Sequence, residues 1–125
     1  MANFDILKTM KLPKGAKAII PEGKLEDYCL NPFHPDGKHK AKVFEKALGI
    51  TQTDSTELKK LVLASAVYGE VTKEQLNDFG TTYRVEYETQ GVNQREVLCT
   101  LWIVHKSDER PYLTSCFVRK RKDKI

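Results

Sequence analysis

Thr82-Tyr-Arg-Val-Glu-Tyr-Glu-Thr89, Gln90-Gly-Val-Asn93 and Arg95-Glu-Val-Leu-Cys-Thr-Leu-Trp-Ile-Val104 decide the fold. The first run alternates: Tyr83, Val85 and Tyr87 fall on one side, Arg84, Glu86 and Glu88 on the other. That period of two is a strand half-buried against a core. Gln90–Asn93 supplies a hairpin turn. The second run is apolar on both sides, with Val97, Cys99, Leu101 and Ile103 against Leu98, Trp102 and Val104. A strand covered on both faces belongs inside its sheet. His105–Arg110 is a polar turn, and Tyr112–Val118 reads as the next strand. Together they make an antiparallel meander, with Ala16–Ile20 as a further short edge strand ended by Pro21.

Upstream of the meander the apolar period is helical. Glu22–Leu30 carries Leu25, Tyr28 and Cys29 at helical spacing. Asn31, Pro32, Pro35, Asp36 and Gly37 form a turn-rich loop. Lys38–Leu48 places Ala41, Phe44, Ala47 and Leu48 on one stripe, and Gly49 is positioned to close that helix in a left-handed conformation. Ser55–Ala66 repeats Leu58, Leu61, Val62 and Ser65, with Asp54 or Ser55 as N-cap. Tyr68–Gly80 reads as a connection with a helical turn around Lys73–Leu76. The expected class is α+β, with N-terminal helices packed on a three- to four-stranded antiparallel sheet. The organisation is a lead-in over 1–15, one domain over 16–121 and a basic tail end at 122–125. The tail, from Arg119 to Lys124, is expected to leave the fold.

The 125 residues are 40% hydrophobic and 30% charged, with a formal net charge of +4, which suits one globular domain and permits an anionic partner. No apolar run approaches the ~20 residues that cross a membrane, and the N-terminus lacks the layout of a signal peptide. Cys29, Cys99 and Cys116 are far apart and include no Cys-x-x-Cys pair, so buried reduced thiols are expected in place of a zinc site. That suits a cytoplasm, either the cell's own or a target's into which the domain is delivered. Phosphate loops, nucleophile elbows, His-Glu-x-x-His and acidic magnesium clusters are missing from the sequence, so activity without metal or cofactor is expected.

Asn31-Pro-Phe-His-Pro-Asp-Gly-Lys-His-Lys-Ala-Lys-Val-Phe44 concentrates the chemistry. His34 lies in the loop and His39 in the first helical turn; imidazole is the side chain suited to proton transfer near neutrality. Lys38, Lys40 and Lys42 crowd the start of a helix, where the dipole disfavours cations and a polyanion would relieve them. The stem of Lys40 can lie along the helix while its ammonium reaches the loop. Thr114 and Ser115 point to opposite faces of the last strand, so one of them faces away from the helices. Arg119 shares the face of Ser115 and suits a phosphate. A solvated helix face and locally satisfied hydroxyls are the bland readings of these groups; Glu86 and Glu88 are read as solvated.

The loop motif, with Leu101-Trp-Ile-Val104 and Pro111-Tyr-Leu-Thr-Ser-Cys-Phe-Val118, resembles an uncharacterised bacterial domain family found alone and at the C-termini of polymorphic and phage-head-associated toxins. That domain in turn resembles the barnase–EndoU–colicin–RelE-like ribonucleases, whose helices precede an antiparallel sheet. The resemblance implies a toxin that cleaves RNA by 2′-hydroxyl attack to a 2′,3′-cyclic phosphate. His34 would match the family histidine, Lys40 the family lysine and Ser115 the hydroxyl of the last strand. His39 is its rival, because some toxin-borne relatives lack the first histidine and keep His-Lys-Ala. Phe117 stands where such nucleases often carry a tyrosine, and that role does not transfer. Implied partners are RNA, transfer RNA among the candidates, and an immunity protein. Lys38, Lys42, Thr114 and Arg119 would bind substrate. The alternative is a non-catalytic module that binds RNA or protein.

Overall fold

The computed structural model describes residues 10–119. Helix α1 (Lys24–Cys29) is one wide turn, closed by the Leu30 N–H donating to the Leu25 carbonyl at 2.8 Å, a π-type spacing. Helix α2 (Lys38–Leu48) buries Ala41 and Phe44 and ends at Gly49, whose φ of 70° is the left-handed cap expected. Helix α3 (Ser55–Tyr68) buries Leu58, Val62, Ser65 and Ala66. Asp54 precedes α3, but its carboxylate turns back to accept from the Thr51 N–H and hydroxyl, both at 2.9 Å. It therefore caps the 3-10 turn Gln52–Asp54 rather than α3.

Strands β1 (Glu70–Asn77), β2 (Gly80–Gln90), β3 (Arg95–His105) and β4 (Pro111–Val118) form one antiparallel sheet in that order. Helices followed by a four-stranded antiparallel sheet are the α+β architecture expected, with β3 inside the sheet. The helical turn expected around Lys73–Leu76 is instead part of β1. Pairing with β2 overrides the local helix preference of Lys73, Glu74, Gln75 and Leu76, and Asn77 Oδ1 closes the hairpin by accepting from Phe79 and Gly80. Ala16–Ile20 does not form a strand: Gly15–Lys17 is a 3-10 turn, and a single parallel bridge joins Ile19 to Tyr112. Leu12, read as part of the lead-in, is buried in the core. The tail end 122–125 lies outside the described residues.

One sheet face carries the core. Tyr83, Val85, Leu98, Trp102, Leu113, Cys116 and Val118 pack against Phe44, Leu58 and Val62. Burial of this apolar surface is the main favourable term in folding. Within it lies a directional polar chain. The Trp102 indole N–H donates to the Thr100 hydroxyl at 2.8 Å, and that hydroxyl meets the Ser65 hydroxyl at 3.1 Å. The one proton of Ser65 goes to the Val62 carbonyl at 2.7 Å, so Thr100 must donate to Ser65. The other sheet face is open. Arg84, Leu101 and Ser115 lie in register across it, as do Glu86, Cys99 and Phe117. Among the described residues no helix is long and apolar enough to cross a membrane.

Candidate active site at the start of α2

The loop before α2 is built by its own side chains. Asn31 Oδ1 accepts from the Phe33 N–H at 2.9 Å. The Nδ1 of His34 accepts from the Asp36 and Gly37 N–H groups at 3.0 and 3.1 Å. A ring nitrogen that accepts carries no proton, so neutral His34 holds its proton on Nε2 and presents a donor outward. The His34 ring stands edge-on to Tyr28, 4.9 Å between centroids. Gly37 closes the turn against α1: a Cβ there would sit 2.1 Å from the Tyr28 carbonyl oxygen, so this approach requires glycine.

Helix α2 then starts without a side-chain cap and without an acidic residue in its first turn. The positive end of the helix dipole and Lys38, Lys40 and Lys42 make this end electropositive, although the Lys38 N–H donates to the His34 carbonyl at 3.0 Å. The Lys40 ammonium donates to the Tyr28 hydroxyl at 3.1 Å and stands 5.1 Å from the ring centroid; the Lys24 ammonium lies 5.7 Å from it. Tyr28 thus joins α1 to α2 and holds Lys40 in place.

His39 borders two concavities. A groove of about 370 Å³ is lined by His39, Lys40, Val43, Phe117 and Val118, where α2 meets the end of β4. A second groove, about 480 Å³, runs along the other side of α2, with Lys38, His39 and Lys42 on one wall and Thr51, Gln52 and Thr53 on the other. His39 and Lys40 thus line the groove at the end of β4, whereas His34 lines neither groove.

The remaining candidates spread over β4 and its edge. A bulge between Leu101 and Trp102 makes Thr114 the unpaired residue of β4; it is exposed, and its hydroxyl donates to the Leu101 carbonyl at 3.1 Å. The Ser115 hydroxyl is buried on the open face and has no hydrogen-bond partner among the described residues. Arg119 follows the end of β4 and binds Glu86 at 2.9 Å. Arg84 takes the other oxygen of that carboxylate at 3.3 Å, contacts Cys99 Sγ at 3.3 Å, and lies over the Phe117 ring, 5.5 Å from its centroid. Glu86 is thus not merely solvated: two guanidinium groups share it.

Tyr28 and Arg84 are the site-bordering residues that sequence reading missed. Tyr28 counted as one apolar member of a helical stripe, and only its hydroxyl, facing a lysine-rich segment, signalled more. Arg84 and Glu86, two apart on one strand face with opposite charge, did signal an ion pair. Among the described residues no group of three or more histidine, cysteine, aspartate or glutamate side chains is arranged to hold a metal ion.

The fold and this front end define an α+β domain with a basic helix start beside an open-faced sheet. The chain belongs to the family described as Domain of unknown function (DUF6883), whose model matches residues 11–120. None of the curated proteins compared matches it. Among solved structures it is similar to a chain of a contact-dependent growth inhibition toxin–immunity protein complex from Klebsiella pneumoniae 342. That match has a TM-score of 0.57 and 11% identity, over 86% of this chain and 97% of that one. At this identity the likeness is one of fold.

Proposed function

We propose that this chain is a toxin-type domain with metal-independent endoribonuclease activity, its reacting centre in the groove between the start of α2 and the end of β4. The observation that carries the reading is the juxtaposition of His39 and Lys40 with Phe117 and Val118 around one concavity. The fold likeness to a chain of a growth-inhibition toxin–immunity complex supports the toxin class, as does the loop motif.

His39 is the base in this reading, because the His34 nitrogen that could accept a proton is occupied by loop amides. His39 takes the proton of a ribose 2′-hydroxyl. The resulting alkoxide attacks the adjacent phosphorus, the 5′-oxygen leaves and is protonated by solvent, and a 2′,3′-cyclic phosphate forms. Lys40, held by Tyr28, neutralises charge growing on the phosphoryl oxygens, the kind of preorganised electrostatics that is usually the largest catalytic term. Lys38 and Lys42 line the adjoining groove and follow the RNA backbone. Arg119, at the end of β4 on the open sheet face, adds a cation for the RNA backbone, and the unpartnered Ser115 hydroxyl, buried on that face, orients phosphate only where substrate displaces its cover. RNA is the substrate and an immunity protein the neutralising partner.

A second reading, a non-catalytic protein-binding module, is favoured by the apolar tip of the β1–β2 hairpin, where Leu76 and Phe79 are exposed. Incubating the purified protein with total RNA in excess chelator, followed by end-group analysis, separates the two. Cyclic phosphate ends that appear with wild type and not with His39→Ala support the nuclease. Intact RNA, together with untroubled growth of a host expressing the chain, leaves the binding module.

A further inference from the structure

Cys29 closes α1, and Cys116 lies in the middle of β4, 87 residues further on. Both are fully buried free thiols, and their sulfurs are 3.5 Å apart with the Cys116 S–H donating to Cys29. The third thiol, Cys99, sits opposite Phe117 on the open sheet face, whereas Cys116 belongs to the core on the other. The sheet therefore separates Cys99 from the pair. The two sulfurs, carried by different layers of the fold, lie in contact but beyond the ~2.05 Å of a bonded pair.

We propose that Cys29 and Cys116 form a dithiol modification site, which closes to an intramolecular disulfide by exchange with a disulfide oxidant of the glutathione class. The Cys29 thiolate attacks one sulfur of oxidised glutathione, forming a mixed disulfide and releasing one glutathione thiolate. The Cys116 thiolate then attacks the Cys29 sulfur of that mixed disulfide and releases the second glutathione. Two protein thiols are oxidised, one glutathione disulfide is reduced to two glutathiones, and the protein's two protons pass to the leaving thiolates or to solvent. In the folded pair Cys29 is the better placed thiolate, because it receives the Cys116 S–H. The S–H bond from Cys116 lowers the pKa of Cys29 below the ordinary thiol value, and the Lys40 and Lys24 ammonium groups add to this. The same contact, with burial, raises Cys116 well above it.

The bridge would join α1 to β4, next to the residues that hold and line the groove described above. Cys29 follows Tyr28, the partner of Lys40, and Cys116 precedes Phe117. Its formation does not depend on any RNA chemistry, so it stands or falls apart from the nuclease reading.

The test avoids the barrier of burial by forming the bond during folding. The full chain is unfolded, reduced and refolded in an oxidising glutathione buffer, then alkylated under denaturing conditions and weighed. The expected product has lost two hydrogens, carries one alkylated cysteine at Cys99, and yields a linked pair of peptides containing Cys29 and Cys116. Its thermal midpoint is higher than that of the reduced form and returns to it with dithiothreitol. Cys99→Ser should form the same bridge, and Cys29→Ser and Cys116→Ala should not. Refolded protein with three alkylatable thiols, a bridge that includes Cys99, or a glutathione adduct on Cys29 that never resolves would each overturn the proposal.

Discussion

The two histidines of the α2 front can be separated by a three-variant test. His34 Nδ1 accepts two backbone N–H groups and its ring edge contacts Tyr28. Each such bond contributes about 1 kcal/mol net. The Asp36 N–H is exposed and recovers a partner in water, but the Gly37 N–H is part-buried. His34→Ala should therefore cost about 1–2 kcal/mol, a fall of roughly 4–10 °C in thermal midpoint for a domain of this size. In His34→Asn the side-chain oxygen is bonded to Cγ where Nδ1 was, so it can accept the same two N–H groups, and most of that stability should return. His39 has no such task, and His39→Ala should unfold at the wild-type temperature. Cleavage should show the reverse order. His34→Asn should cut RNA within a few-fold of wild type, while His39→Ala should lose ~10²–10⁴-fold, the usual contribution of a general base. Circular dichroism melts and a cleavage assay in chelator read the two axes independently. If His34→Asn keeps the wild-type melt and loses cleavage, while His39→Ala keeps cleavage, the assignment drawn from the loop geometry is wrong.

Further outcomes follow from other parts of the molecule. Thr100→Val should cost about 1–3 kcal/mol, because the buried Trp102 indole N–H loses its acceptor, and Thr100→Ser should restore most of it; urea midpoints check both. Asp108 is held far below the ordinary carboxylate range by the Arg110 side chain, the Arg110 N–H and the Tyr112 hydroxyl, and Asp54 is lowered by the Thr51 N–H and hydroxyl. A carboxylate with a depressed native pKa adds stability above its unfolded pKa of about 4 and loses it as pH falls further, so Asp108→Asn and Asp54→Asn should flatten the acid limb of a stability–pH curve. Phe33 is 87% exposed and follows Pro32 of the larger groove, so under the RNA-cleaving proposal it would stack on an unpaired base. Phe33→Ala should weaken binding of a single-stranded RNA by about 1–3 kcal/mol, and Phe33→Tyr should not; fluorescence anisotropy on a labelled oligonucleotide decides it.

The strands that read well from sequence are those whose two faces meet different surroundings. β2 alternates because Tyr83 and Val85 enter the core while Arg84 and Glu86 do not. β1 was invisible for the opposite reason. Only Val71 of its eight residues is buried, so no period of two marks it, and its composition favours a helix. Its strand state is imposed by β2, a tertiary pairing that no local window contains. The bulge at Thr114 was equally hidden. A strict alternation puts Leu113 and Ser115 on one face, whereas the extra residue sends Leu113 to the core and Ser115 to the open side. A single inserted residue thus changes which hydroxyl is available, and sequence patterning alone carries no sign of it.

The site divides along a similar line. The motif that stood out in the sequence is Asn31-Pro-Phe-His-Pro-Asp-Gly37, and its polar members are engaged in forming the loop itself. Asn31 binds the Phe33 amide, His34 binds two amides, and Gly37 admits the Tyr28 carbonyl. A motif can therefore be specific because it sets the geometry of a turn, without its histidine being the group that reacts. What that turn delivers is the start of α2, with His39 and Lys40 facing the end of β4 and Tyr28 securing the amine. Residue type and spacing located the region, since both histidines and the lysines lie within one short segment. They did not rank His34 against His39. That choice turns on which ring nitrogen already has a partner, a property of the folded loop.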